Sequence, residues 1–188
     1  MDKEIKEYIN GNKQAILEQL FELLKIPSIS TDSKYKNDMH DCARYLSDEL
    51  VRVGLDNVGV YNTKGHSVVY GDWLHAEGKP TLLIYGHYDV QPADPLDLWE
   101  SSPFEPEIRD DQIYARGVSD DKGQVFCHIK AIESYLRVKG SLPVNIKLLI
   151  EGEEEIGSPG LEAFVEENKE LLSADVLLVS DNPMFAED

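Results

Sequence analysis

The chain has 188 residues, of which 18 are Lys or Arg and 36 are Asp or Glu, for a formal charge of −18. That length allows one domain with a real core, and an apolar share of 41% lies within the globular range. An acidic excess of this size disfavours nucleic acid and anionic membranes as partners, and no apolar stretch approaches the roughly 20 residues that span a bilayer.

The N-terminal stretch MDKEIKEYIN lacks the apolar core of a signal peptide, so the cytoplasm is the expected compartment. Ala15, Ile16, Leu20, Phe21 and Leu24 recur at helical spacing, and Pro27 stops that helix because the residue before a proline is pushed out of α geometry. Met39, Cys42, Ala43, Leu46, Leu50 and Val53 form a second stripe, with Gly54 as its C-terminal stop. Val58–Tyr61 and Ser67–Trp73 read as a strand pair about a turn holding Asn62, Lys64 and Gly65. The segment from Gln91 to Asp111 reads as a long ordered loop, a feature that is often functional in a compact domain. Val125, Ile129, Ile132 and Leu136 predict a third helix. Ser158 and Pro159 fit the N-cap and first turn of a fourth, which carries Leu161, Phe164 and Val165 inward. Cys42 and Cys127, the only cysteines, both sit in helical patterns and read as small core residues. Alternating strands and helices predict an α/β sandwich with a largely parallel sheet.

Four short apolar runs each end in polar residues of metal-ligand type. Thr81–Tyr85 leads to Gly86-His87-Tyr88-Asp89, Ile113–Ala115 to Arg116–Gly123 with its Asp120-Asp121 pair, Val144–Ile150 to Glu151-Gly152-Glu153-Glu154-Glu155, and Val176–Val179 to Ser180-Asp181-Asn182. Ligands in open α/β sheets gather in the crevice beyond the carboxyl ends of strands. Taken singly, each cluster has an ordinary explanation. H-x-D describes many surface histidines, Asp120 and Asp121 could simply favour a helix N-terminus, acidic runs are usually solvated, and Asp181 is a common loop residue. Together they predict one metal site, in which Asp89 holds the second nitrogen of His87 and crowded glutamates need cations to stay ionised. Of the adjacent Glu154 and Glu155, one suits a ligand and the other a proton-transfer group. No G-x-S-x-G elbow, P-loop or dinucleotide fingerprint is present.

The order H-x-D, D-x-K-G, E-E-x-G-S, S-D-N resembles, over essentially the whole chain, the dinuclear zinc exopeptidases. That family includes carboxypeptidase G, aminoacylase, succinyl-diaminopimelate desuccinylase and the carnosinase-type dipeptidases. The stretch LWESSPFEPEIRDDQIYARGVSDDKG is also similar to the family's link between its first two ligands. The resemblance implies a three-layer α/β sandwich with a mixed, largely parallel sheet, as in a zinc-exopeptidase catalytic domain. It implies His87 on one metal, Asp120 bridging both, Glu155 on the second and Asp181 completing the first. Glu154 would be the general base and Asp89 the group orienting His87, and a cis peptide is expected at Asp120-Asp121. The cofactor would be two Zn²⁺ ions, with Mn²⁺ or Co²⁺ as alternatives. The reaction would be hydrolysis of a peptide bond by a metal-bridged water, and the partner a small peptide.

Ser180-Asp181-Asn182 most resembles the dipeptidase branch, leaving an N-acyl-amino-acid deacylase or desuccinylase, or a non-catalytic metal-binding fragment, as the alternatives. The family's second metal takes a further His from far downstream, and a lid or dimerisation domain follows the Asp181 region. His40, His66, His75 and His128 do not match that motif and read as surface or packing residues. Residues 1–188 are therefore expected to be the N-terminal portion of a catalytic domain, inactive alone, from a full-length protein that is homodimeric in this reading.

Overall fold

The computed structural model describes residues 2–182. In chain order these form helix α1 (Lys3–Gly11), α2 (Lys13–Leu24), α3 (Lys36–Val53), strands β1 (Asp56–Tyr61), β2 (Val68–Trp73), β3 (Thr81–His87), β4 (Glu107–Arg109) and β5 (Gln112–Tyr114). They continue with α4 (Lys122–Lys139), β6 (Asn145–Glu151), α5 (Leu161–Glu167), α6 (Lys169–Leu172) and β7 (Val176–Val179).

Among the described residues, the main sheet runs β1-β2-β6-β3-β7. β2 pairs antiparallel with both β1 and β6, whereas β3 pairs parallel with β6 and β7, so four of the five strands share a direction and β2 alone is reversed. Period-two alternation then builds two cores. Val69, Trp73, Ile84, Ile146, Leu148 and Ile150 join Leu23 and Leu24 of α2, Leu46 and Leu50 of α3, and Ile129 of α4 on one face. Val68, Tyr70 and Leu149 meet Phe164 of α5 and Leu172 of α6 on the other. The result is the three-layer sandwich, with its mixed, largely parallel sheet.

The three apolar stripes become α2, α3 and α4, and the predicted stop at Gly54 holds a left-handed φ of +106°, which a side chain would resist. Three expectations need revision, and one helix was not predicted. Ile113 belongs to β5, which among the described residues pairs with β4 in a separate hairpin, and Asp110 and Asp111, at φ +48° and +62°, form the turn between them. Ser158 is not an N-cap. It sits at φ +53° and donates its hydroxyl to Glu151 Oε1 (2.7 Å), and α5 starts at Leu161 behind Gly160. Cys42 is buried but Cys127 lies on the exposed side of α4. Finally, α1 precedes the first predicted helix, started by the Asp2 carboxylate accepting from the Glu4 amide (2.9 Å).

The parallel strands β3, β6 and β7 end side by side. His87 is in register with Glu151, and Tyr85 with Val179, two residues before Asp181. None of the helices among the described residues is long and apolar enough to cross a membrane.

Candidate metal centre

His87 ends β3 and is completely buried. Its amide donates to Asp121 Oδ2 (3.1 Å), which lies so close that a Cβ on Gly86 would stand 2.6 Å from the same oxygen and 2.5 Å from Val125 Cγ2. Only glycine lets the start of α4 approach β3 this closely. The imidazole is gripped from behind: Nδ1 lies 3.0 Å from the backbone oxygen of Asp89 and 3.3 Å from its carboxylate. The same carboxylate accepts from the amides of Glu154 (3.2 Å) and Glu155 (3.1 Å). Asp89 thus ties the ring to the acidic segment after β6.

The front nitrogen, Nε2, faces three carboxylates: Asp120 Oδ1 at 3.1 Å, Asp181 Oδ2 at 3.6 Å and Glu154 Oε2 at 3.9 Å. Asp120 arrives from the loop before α4 through a cis Asp120-Asp121 peptide, and Asp181 from the end of β7. One ligand atom each from His87, Asp120 and Asp181 fall within 4.8 Å of one another. Ligands bound 2.0–2.1 Å from a tetrahedral zinc stand about 3.3 Å apart, so these spacings suit an ion at their centre. A mixed imidazole and carboxylate donor set suits Zn²⁺, Mn²⁺ or Co²⁺, and the buried Asp121 Oδ1 has no hydrogen-bond partner. Glu155 is not in the same group. Both its carboxylate oxygens are engaged by Gln91, whose amide donates to Oε1 (3.2 Å) and whose Nε2 donates to Oε2 (2.7 Å).

The electrostatics suit a bound cation. Among the described residues no Lys or Arg pairs with Asp89, Asp120, Asp121, Glu154, Glu155 or Asp181; His87 is the only cationic group in salt-bridge reach. Burial acts to lower the His87 pKa, but the Asp89 carboxylate, with Asp121 and Glu154, outweighs it and raises the value to about 10. Burial lifts Asp121 to about 6 and pushes Glu154 and Glu155 above the ordinary carboxylate value. A divalent ion at this point would offset the crowded carboxylate charge.

Three participants lay outside the predicted set. Asp121 sits next to a predicted ligand yet faces the opposite way, into the core. Glu151, buried at the end of β6, accepts from Tyr85 (2.6 Å) and Ser158 (2.7 Å) hydroxyls. Gln91 lies at the third alternate position from His87, a two-residue period that could have revealed it.

An imidazole and carboxylates gathered at the carboxyl edge of parallel strands define an α/β metal-centre domain. The chain belongs to peptidase family M20/M25/M40, whose sequence profile matches residues 83–187. Cys-Gly metallodipeptidase DUG1 of Candida albicans is 34% identical over 190 residues, which cover 90% of this chain and 38% of that protein. Human carnosine dipeptidase 1 superposes with a TM-score of 0.89 at 31% identity, covering 97% of this chain and 41% of that one. Sso-CP2, an M20 family metallo-carboxypeptidase from Sulfolobus solfataricus, superposes at 0.81 with 41% identity, over 97% of this chain and 38% of its own. The chain thus spans about two-fifths of the length of these relatives.

Proposed function

We propose that this chain carries the metal-binding and proton-transfer residues of a metallopeptidase that hydrolyses the peptide bond of dipeptides or short peptides. The observation that carries the reading is the convergence of His87, Asp120 and Asp181 around one point, with Glu154 3.9 Å from the imidazole. His87 and Asp181 would hold one ion, Glu155 a second, and Asp120 would contact both. Bound Zn²⁺, or Mn²⁺ or Co²⁺ in its place, supplies positive charge that acidifies water and polarises the scissile carbonyl. Glu154, on the rim with 37% of its side chain exposed, takes the proton from the attacking water and delivers it to the leaving amine. Burial raises its pKa, which brings its basicity closer to neutral pH. Asp89 fixes the ring of His87 and, through two amides, the backbone that carries Glu154 and Glu155. The two free cysteines fit a reducing compartment, the cytoplasm.

The test is turnover by the protein expressed from its full coding sequence, stripped of metal and reloaded. Dipeptides should be cleaved and Glu154→Gln should keep its metal while losing at least 100-fold in kcat. Unchanged turnover in that variant removes Glu154 from proton transfer, and metal-independent or absent hydrolysis removes the peptidase reading. The likeness to Sso-CP2 favours a second reading, carboxypeptidase action on longer peptides. N-blocked tripeptides separate the two, because a dipeptidase needs the free amine, and N-acyl amino acids in the same panel report a deacylase.

A further inference from the structure

We propose that Gln91 is a positioning residue that presents the Glu155 carboxylate to a divalent cation and so sets how tightly that end of the site holds metal. This rests on the reading above, in which Glu155 is a ligand. The chain leaving β3 stays extended and alternates. Tyr88 and Val90 are buried on one side, where the Tyr88 hydroxyl donates to Ser67 O (2.8 Å) and the Val90 amide to Ser28 O (2.9 Å). His87, Asp89 and Gln91 occupy the other positions. The first faces the cluster, the second accepts from the amides of Glu154 and Glu155, and the third grips the Glu155 side chain.

That grip has three contacts. The Gln91 amide donates to Oε1 (3.2 Å), and Nε2 donates to Oε2 (2.7 Å) and to the Glu155 carbonyl (3.3 Å). A free glutamate side chain at this position would relax toward solvent. Holding it in advance removes a side-chain ordering cost from metal binding. The chemistry of the donor also matters. A lysine at position 91 would neutralise the carboxylate and repel a cation, whereas the neutral Nε2 fixes Oε2, beside the backbone amide on Oε1, and leaves the charge intact. Each oxygen keeps a second lone pair for coordination.

The experiment titrates Zn²⁺ alone, and separately Mn²⁺ alone, by calorimetry into metal-free protein expressed from its full coding sequence, using wild type, Gln91→Met, Gln91→Ala and Glu155→Ala. Gln91→Met keeps side-chain length and removes the two Nε2 contacts, leaving the backbone amide on Oε1. The difference between wild type and Glu155→Ala defines the binding that depends on Glu155. Gln91→Met and Gln91→Ala should each weaken that part about 10- to 100-fold, leaving the metal-free melting temperature unchanged and shrinking only the rise that metal induces. Wild-type affinity in both Gln91 variants, beside a weaker Glu155→Ala, overturns the role of Gln91 and leaves the ligand reading standing. Equal binding by wild type and Glu155→Ala removes Glu155 as a ligand, and the proposal falls with it.

Discussion

Helices α3 and α4 are joined by a charge cluster whose strength can be read against pH. Arg52 donates to both oxygens of Glu133 (2.7 and 2.8 Å) and both of Glu49 (2.9 Å each), while Lys130 donates to Glu49 (3.1 Å), Glu133 (3.0 Å) and Gln19 (2.5 Å). Two cations meet two anions, and the Glu133 side chain keeps only 9% of its exposure, so solvent screens it little. Burial acts to raise the Glu133 pKa, but the hydrogen bonds from Arg52 and Lys130 prevail and bring it from 4.5 to about 2. A fall of that size corresponds to about 3 kcal/mol of stability at neutral pH. Because the folded value is depressed, the contribution is complete above the unfolded value of 4.5, more than half lost by about pH 3, and gone below pH 2. Glu133→Gln should therefore unfold about 3 kcal/mol more easily than wild type at pH 7, with the gap closing as both approach pH 2. Urea unfolding followed by circular dichroism at pH 7, 5 and 3 measures it, with an unchanged m-value as the check on two-state behaviour. A gap that stays constant with pH would show that Glu133 packs in α4 without acting through its charge.

Gly86→Ala should cost about 1–3 kcal/mol and abolish metal uptake, since its methyl group would press Asp121 Oδ2 and Val125 at 2.6 and 2.5 Å; a melting curve and a metal titration read both effects. Lys122 is buried and donates to Leu23 O (3.2 Å) and Ile26 O (2.6 Å), closing the end of α2. Lys122→Met strips two carbonyls of their donor but also relieves a buried charge, so a net loss of about 1–2 kcal/mol in urea unfolding is expected, and equal stability would refute the capping role. Metal-stripped protein taking up Zn²⁺ near pH 7 should release about one proton, because His87, held at about pH 10, must lose its proton to ligate. Calorimetry in two buffers of different ionisation enthalpy counts that proton, and a count of zero would mean the ring is already neutral. The sign follows from the raised value: apparent affinity should climb as pH rises toward 10.

The sandwich was legible wherever one face carried the apolar signal. α3 and α4 bury one stripe each and showed it, as did β3 and β6, which are covered on both faces and read as continuous apolar runs. α1 buries only Ile5, too little to mark a period, and so stayed hidden. β5 carried an apolar pair into a polar cluster and looked like a strand of the main sheet. What excluded it was a tight turn of two aspartates in left-handed conformation, a local geometry that the apolar pattern does not encode.

The site shows the same division for a different reason. The structure brings together His87, Asp120, Glu154 and Asp181, which stood out in the sequence against the apolar runs before them. Asp120 and Asp121 look alike as letters, yet one carboxylate is 58% exposed in the cluster and the other is buried against the amide of His87. Which of two adjacent aspartates faces which way depends on β3 passing close enough for Gly86 to touch it, a tertiary fact. Glu151 and Glu153 are buried for equally non-local reasons: Glu151 takes the Tyr85 and Ser158 hydroxyls, and Glu153 takes the Gly160 amide (3.0 Å). Both can be satisfied by neutral donors, so they need no cation. Among the described residues Glu154 and Asp181 have no such donors and share with Asp120 a single imidazole, so three carboxylates face one ring. That imbalance sets Asp120, Glu154 and Asp181 apart from the buried Glu151 and Glu153.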